Sequence, residues 1–109
     1  MYPYQDSSRP IEERVDDLLS RMTLEEKAAQ TDQYFSGDFT TLDENGRVTH
    51  IDFDRFVQLL GKTSIGGVQL RGMTAAQANA IQRIAVEQTR LGIPFVFSEE
   101  ALHGLFTGL

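Results

Sequence analysis

The chain has 109 residues, a mass of 12.2 kDa, 40% hydrophobic residues and a formal net charge of −6 with a pI near 4.7. That suits one small domain with a modest core, and the acidity, with ten Lys and Arg scattered along the chain, argues against nucleic acid as a partner. Cysteine is absent, which removes disulfides, thiolate metal sites and cysteine nucleophiles. The opening MYPYQDSSRP lacks a basic segment followed by an apolar one, and no run approaches the ~20 apolar residues of a membrane span, so a cytoplasmic protein without a membrane partner is expected.

Residues 1–9, with Pro3, Ser7, Ser8 and Arg9 among two tyrosines, read as an irregular lead-in to a domain occupying 10–109. A helix is predicted from near Pro10, because Ile11, Val15, Leu18, Leu19 and Met22 recur at helical spacing while Glu12, Glu13, Asp16, Asp17 and Arg21 fill the other face. This is an amphipathic packing helix. A second helix opens at Thr23, where TLEEK is a capping box with Glu26 reaching back, and is expected to run to about Gln33. Between 34 and 51, Asp43-Glu44-Asn45-Gly46 separates Phe39–Leu42 from Arg47–Ile51; Asn-Gly tolerates positive φ and predicts a peripheral hairpin or ordered loop. Phe53, Phe56, Val57 and Leu60 then give a short helix capped by Asp52 and stopped by Gly61.

Residues 64–70 (SIGGVQL) read as a buried strand whose glycines admit a close neighbour. No Lys-Ser or Lys-Thr follows Gly66-Gly67, so a phosphate loop is rejected in favour of packing. Thr74 and Gln77 form another capping box, Ala78, Ile81, Ile84 and Ala85 make an apolar stripe, and Arg90-Leu91-Gly92 ends the helix. The strand Ile93-Pro94-Phe95-Val96-Phe97 follows, apolar throughout as for a parallel strand covered on both faces. Strand, helix and strand make a βαβ unit, which places both strand ends at one rim. A closed eight-stranded α/β barrel takes about 250 residues. The fold class expected is therefore α/β, the amino-terminal portion of a TIM-like (β/α)8 barrel: two leading helices and then a βαβ unit.

Polarity changes abruptly at Ser98-Glu99-Glu100, with His103 three residues on. In parallel α/β folds the carboxyl ends of strands carry the ligand-contacting residues, because the loops there vary without disturbing the core. Glu99 and Glu100, as neighbours leaving a strand, diverge and cannot easily converge on opposite sides of one bond as a catalytic pair.

PIEERVDDLLSRMTLEEKAAQ, SIGGVQL, NAIQRIAVEQTRLGIP and FSEEALHG, in this order and spacing, resemble the amino-terminal region of glycoside hydrolase family 3, the β-glucosidases and β-xylosidases. The resemblance spans nearly the whole chain except 34–51, read as a variable insertion. It implies a TIM-barrel-like first domain, a β-linked oligosaccharide or glycoside substrate, and further parts of the protein: the rest of the barrel and a second α/β domain. It also implies that Glu100, standing just before Ala-x-His-Gly, accepts hydrogen bonds from hydroxyls of the non-reducing-end sugar. A carboxylate suits that task because it accepts from two adjacent hydroxyls at once. Many members carry Asp there, so the sugar preference stays open.

The competing reading for Glu100 is a cap on the following turn. Glu99 is expected to face the other way, towards solvent or a salt bridge, and to support the pocket only indirectly. His103 either donates to a pocket carboxylate or ties the loop together through backbone bonds, the reading favoured here. The family's nucleophile, an aspartate, and its acid/base both belong further along, so no catalytic residue is assigned in this chain and the 109-residue polypeptide alone is expected to be inactive. His50 and His103 with scattered acids make no recognisable metal site, and neither metal nor cofactor is expected. The alternative from a different class is a self-standing α/β binding or scaffold module without catalysis; another TIM-barrel enzyme using the same rim is a third.

Overall fold

Side-chain caps start three of the four α-helices where the sequence places them. The computed structural model describes residues 1–61, 63–102 and 104. Helix α1 (Ile11–Arg21) begins directly after Pro10. Helix α2 (Leu24–Ala29) has the full capping box: the Glu26 N–H donates to Thr23 Oγ1 at 3.2 Å and the Thr23 N–H to Glu26 Oε2 at 2.9 Å. Helix α3 (Phe53–Leu60) is capped by Asp52, which accepts from the Arg55 N–H at 2.8 Å, and stops at Gly61 with φ of 59°. Helix α4 (Ala75–Gln88) starts with the Thr74–Gln77 box. No helix among the described residues is long and apolar enough to cross a membrane.

The strands are β1 (Gln33–Phe35), β2 (Thr40–Leu42), β3 (Val48–Ile51), β4 (Gly67–Gln69) and β5 (Val96–Ser98). β1, β4 and β5 form an all-parallel sheet in the order β1-β4-β5, while β2 and β3 pair antiparallel as the hairpin around Gly46. The architecture is mixed α/β with a parallel sheet. Register aligns Gln33 with Gly67 and Val96, Tyr34 with Val68 and Phe97, and Phe35 with Gln69 and Ser98.

Several expectations need correction. Helix α2 ends at Ala29, four residues early, because Thr31 and Asp32 donate to Ala28 and Ala29 in tightening turns, and Asp32 Oδ1 then accepts from the Gln33 N–H at 2.8 Å. This frees the chain for a third parallel strand, β1, where a helix end and loop were expected. The hairpin is not peripheral: Phe39, Val48 and Ile51 are buried in the same core as Phe56, Val68 and Ile81, with Phe39 and Phe56 rings 4.5 Å apart. β5 pairs from Val96 rather than Ile93, because Gln82 of α4 satisfies the backbone of Phe95 itself, accepting from its N–H at 2.8 Å and donating to its carbonyl at 3.1 Å. Finally, β5 is covered on one face only. Its middle residue Phe97 packs against the core, whereas Val96 is 72% exposed.

The covered face of the parallel sheet carries Tyr34, Val68 and Phe97 and shares its core with Ile81, Ile84 and Ala85 of α4 and Phe56 and Leu60 of α3. The opposite face carries Gln33, Phe35, Gly67, Gln69, Val96 and Ser98, as the two-residue alternation of a strand requires. Gln33 confirms the assignment by reaching across β4 to donate to Ser98 Oγ at 2.5 Å. Gly67 lies between them, and a Cβ there would come within 3.0 Å of the Val96 carbonyl oxygen. Helix α1 is amphipathic as predicted, but none of its residues is buried and Ile11, Val15 and Leu19 stay exposed.

The lead-in is ordered. Pro3–Gln5 form a 3-10 turn, the Tyr4 hydroxyl donates to the Leu91 carbonyl at 2.7 Å, and the Tyr4 N–H donates to Asp17, itself gripped by both guanidinium arms of Arg21 at 2.9 Å. Arg21 in turn stacks over the Tyr2 ring, 4.1 Å from its centroid. Burial of the Tyr4 hydroxyl pushes its pKa above the ordinary tyrosine value.

Candidate functional site

All three parallel strands end at one rim, where the last paired row is Phe35, Gln69 and Ser98. Beyond it Glu99 is half-buried and Glu100 exposed, and the Glu100 N–H donates to Glu99 Oε1 at 3.1 Å. Among the described residues neither carboxylate pairs with a cation. The chain then turns, with the Gly104 N–H donating to the Ala101 carbonyl at 3.2 Å and Gly104 at a φ of 91°, which favours glycine. His103 lies outside the described residues. His50 is exposed on the hairpin.

Carrying the strand alternation two residues past Ser98 assigns Glu100 the parity of Val96 and Ser98, the face without helices, and Glu99 the parity of Phe97. Their exposures agree with that order.

The rim also gathers residues that sequence reasoning did not single out. Phe35 is 60% exposed despite its size. Gln69 is buried, and its side-chain amide makes no hydrogen bond among the described residues. Arg71, two residues past β4, has a φ of 35°, the one positive value at a non-glycine among the described residues, and precedes Gly72, where a Cβ would lie 2.9 Å from the Gly46 carbonyl oxygen. The hairpin turn therefore sits against the loop after β4. The sequence signal for Phe35 depends on knowing that β1 exists, whereas Gln69 lies near the end of a strand that the sequence already brings to the rim.

A second polar cluster occupies the opposite, amino-terminal end of the sheet. Glu26 is buried and is held by both arms of Arg90, Nε donating to Oε1 at 2.8 Å and Nη2 to Oε2, while Nη2 also donates to the Arg21 carbonyl at 2.9 Å. The Arg90 guanidinium draws the Glu26 pKa below the ordinary carboxylate value against the opposing effect of burial. Gln30 donates to the Ser64 carbonyl at 2.7 Å, and Ser64 Oγ donates to the Ile93 carbonyl at 3.0 Å. A narrow crevice lies among Glu26, Gln30, Ser64, Thr89, Arg90, Leu91 and Ile93. Its polar groups answer one another, which is the pattern of a fastening.

No family model matches the chain. Individual proteins do. A periplasmic β-glucosidase/β-xylosidase of Dickeya chrysanthemi is 40% identical over 105 residues, covering 90% of this chain and 15% of that protein. A β-glucosidase C of Emericella nidulans is 38% identical over 108 residues, covering 92% of this chain and 16% of that one. By sequence, this chain is a relative of the β-glucosidases and β-xylosidases, glycoside hydrolase family 3. It spans about a sixth of the length of these curated relatives.

Proposed function

We propose that this chain is the amino-terminal part of a (β/α)8-type barrel domain, occupying 10–109, in a retaining glycosidase that removes β-linked terminal glucose or xylose, and that Glu100 is one of its sugar-binding carboxylates. What supports the reading is the parallel rim: Glu100 follows the end of β5, and strand alternation carried past Ser98 gives it the parity of the face opposite the α3 and α4 core, the face that becomes the interior when such a sheet closes. The names of the sequence relatives support a β-glucoside or β-xyloside as substrate.

In this reading Glu100 accepts hydrogen bonds from adjacent sugar hydroxyls and fixes the ring, while nucleophile and acid/base come from the remainder of a longer polypeptide. Its role is binding and orientation. Charge-assisted hydrogen bonds contribute about 1.5–3 kcal/mol, so Glu100→Gln in the full-length polypeptide should weaken inhibition by free glucose or xylose about ten- to a hundredfold. An unchanged inhibition constant would remove Glu100 from the sugar site. The purified 109-residue polypeptide should give no turnover of 4-nitrophenyl β-glucoside or β-xyloside; measurable turnover would refute the division of labour.

A further inference from the structure

The row next to Glu100 adds a chemistry that a carboxylate lacks. Phe35 ends β1 on the same sheet face as Ser98, the two lying on either side of Gln69 in one register row, about 9.6 Å apart at two interstrand spacings. The face assignment rests on two independent observations: Tyr34 is turned into the core, its hydroxyl donating to the Leu59 carbonyl at 2.7 Å, and Gln33, which shares the Phe35 parity, touches Ser98. Among the described residues Phe35 thus presents a 60% exposed ring in the same row as buried Gln69, and the Glu100 carboxylate that follows this row pairs with no cation.

A pyranose offers the matching surface. A β-glucoside or β-xyloside has every ring hydroxyl equatorial, which leaves axial C–H groups forming a flat apolar face while the hydroxyls point sideways. An aromatic ring takes that face and polar groups at its edge take the hydroxyls. We propose that Phe35 is a stacking platform for the sugar whose hydroxyls Glu100 and Gln69 receive, that it takes the ring face on which the C4 hydrogen of glucose is axial, and that it thereby selects all-equatorial pyranosides over galactose, whose C4 hydroxyl is axial on that face. This rests on the sugar-binding reading of Glu100. An axial hydroxyl on the stacked face would hold the ring away from the platform and trap a polar group against an apolar surface.

The test uses the full-length polypeptide and the inhibition constants of free glucose, xylose and galactose, which do not depend on the fraction of enzyme that folds. Phe35→Leu keeps apolar volume and removes the ring, and should weaken glucose and xylose about tenfold while leaving galactose nearly unchanged, so that selectivity falls. Phe35→Tyr keeps the ring and should retain both affinity and selectivity. Glucose and xylose constants unchanged in Phe35→Leu would overturn the proposal, as would equal weakening of all three sugars. If Glu100→Gln weakens glucose and Phe35→Leu does not, only the platform fails; if neither does, the Glu100 reading fails with it.

Discussion

The two ends of the parallel sheet are built to opposite rules. At the amino end, side chains far apart in sequence close on one another: Arg90 on Glu26, Gln30 on the Ser64 carbonyl, Ser64 on Ile93 and Tyr4 on Leu91. At the carboxyl end, among the described residues, Glu99 and Glu100 have no cationic partner, Phe35 is 60% exposed and the Gln69 side chain makes no hydrogen bond. The difference separates stability from recognition. Groups already satisfied by the protein have nothing left to offer a ligand, whereas groups left open cost some stability and keep their capacity for one.

Substitutions at the two ends should therefore differ in kind, and the largest stability effect belongs to the fastened end. A Cβ at Gly66 would overlap the Gln30 carbonyl oxygen, a backbone atom with little room to yield. Gly66→Ala should cost about 3 kcal/mol or more, a fall of roughly 12 °C or more in thermal midpoint by circular dichroism; a midpoint within a few degrees of the parent would mean that α2 and β4 are not so tightly apposed.

Next comes the Glu26–Arg90 pair. Its carboxylate is buried but its guanidinium is half-exposed, so Arg90→Met should cost about 2 kcal/mol, between the exposed and fully buried limits. The same pair sets a pH dependence. The folded-state pKa of Glu26 lies below its unfolded value of about 4.5, so the stabilisation is present above that pH and is lost as the pH falls through the lowered folded value. Denaturation midpoints followed from pH 7 to pH 3 should converge for the parent and Glu26→Gln at the acid end; a constant gap would show that the ion pair is not the cause.

Smaller still is Tyr4→Phe, which removes one hydroxyl bond to Leu91 and should cost about 1 kcal/mol. The least effect on stability is expected at the open end: Glu100→Gln should move the midpoint by no more than about 0.5 kcal/mol. A destabilisation of 2 kcal/mol there would dissolve the contrast and favour the turn-capping role.

Helix starts were legible in the sequence because Thr23, Asp52 and Thr74 announce them through contacts only three residues long. The hairpin was legible for the same reason, since Asp43 and Gly46 shape the turn locally. Strand β1 was not: it has three residues, two of them outward-facing, and its identity comes from pairing with β4 more than thirty positions later. The late start of β5 was hidden too, because it depends on Gln82 reaching Phe95 from α4. The acidic pair could be placed after a strand because polarity breaks sharply at Ser98. Its neighbour Phe35 could not, as its place in the row exists only once β1 is known.

One consequence follows from the position of β5. Among the described residues it is an outer strand paired with β4 alone, and it carries exposed Val96, with exposed Leu102 shortly after. No lysine, proline or bulge within Val96–Ser98 blunts that border. When nothing else occupies it, another molecule can add its own strand there, so the polypeptide by itself should cluster as its concentration rises, and a single lysine in place of Val96 should keep it dispersed.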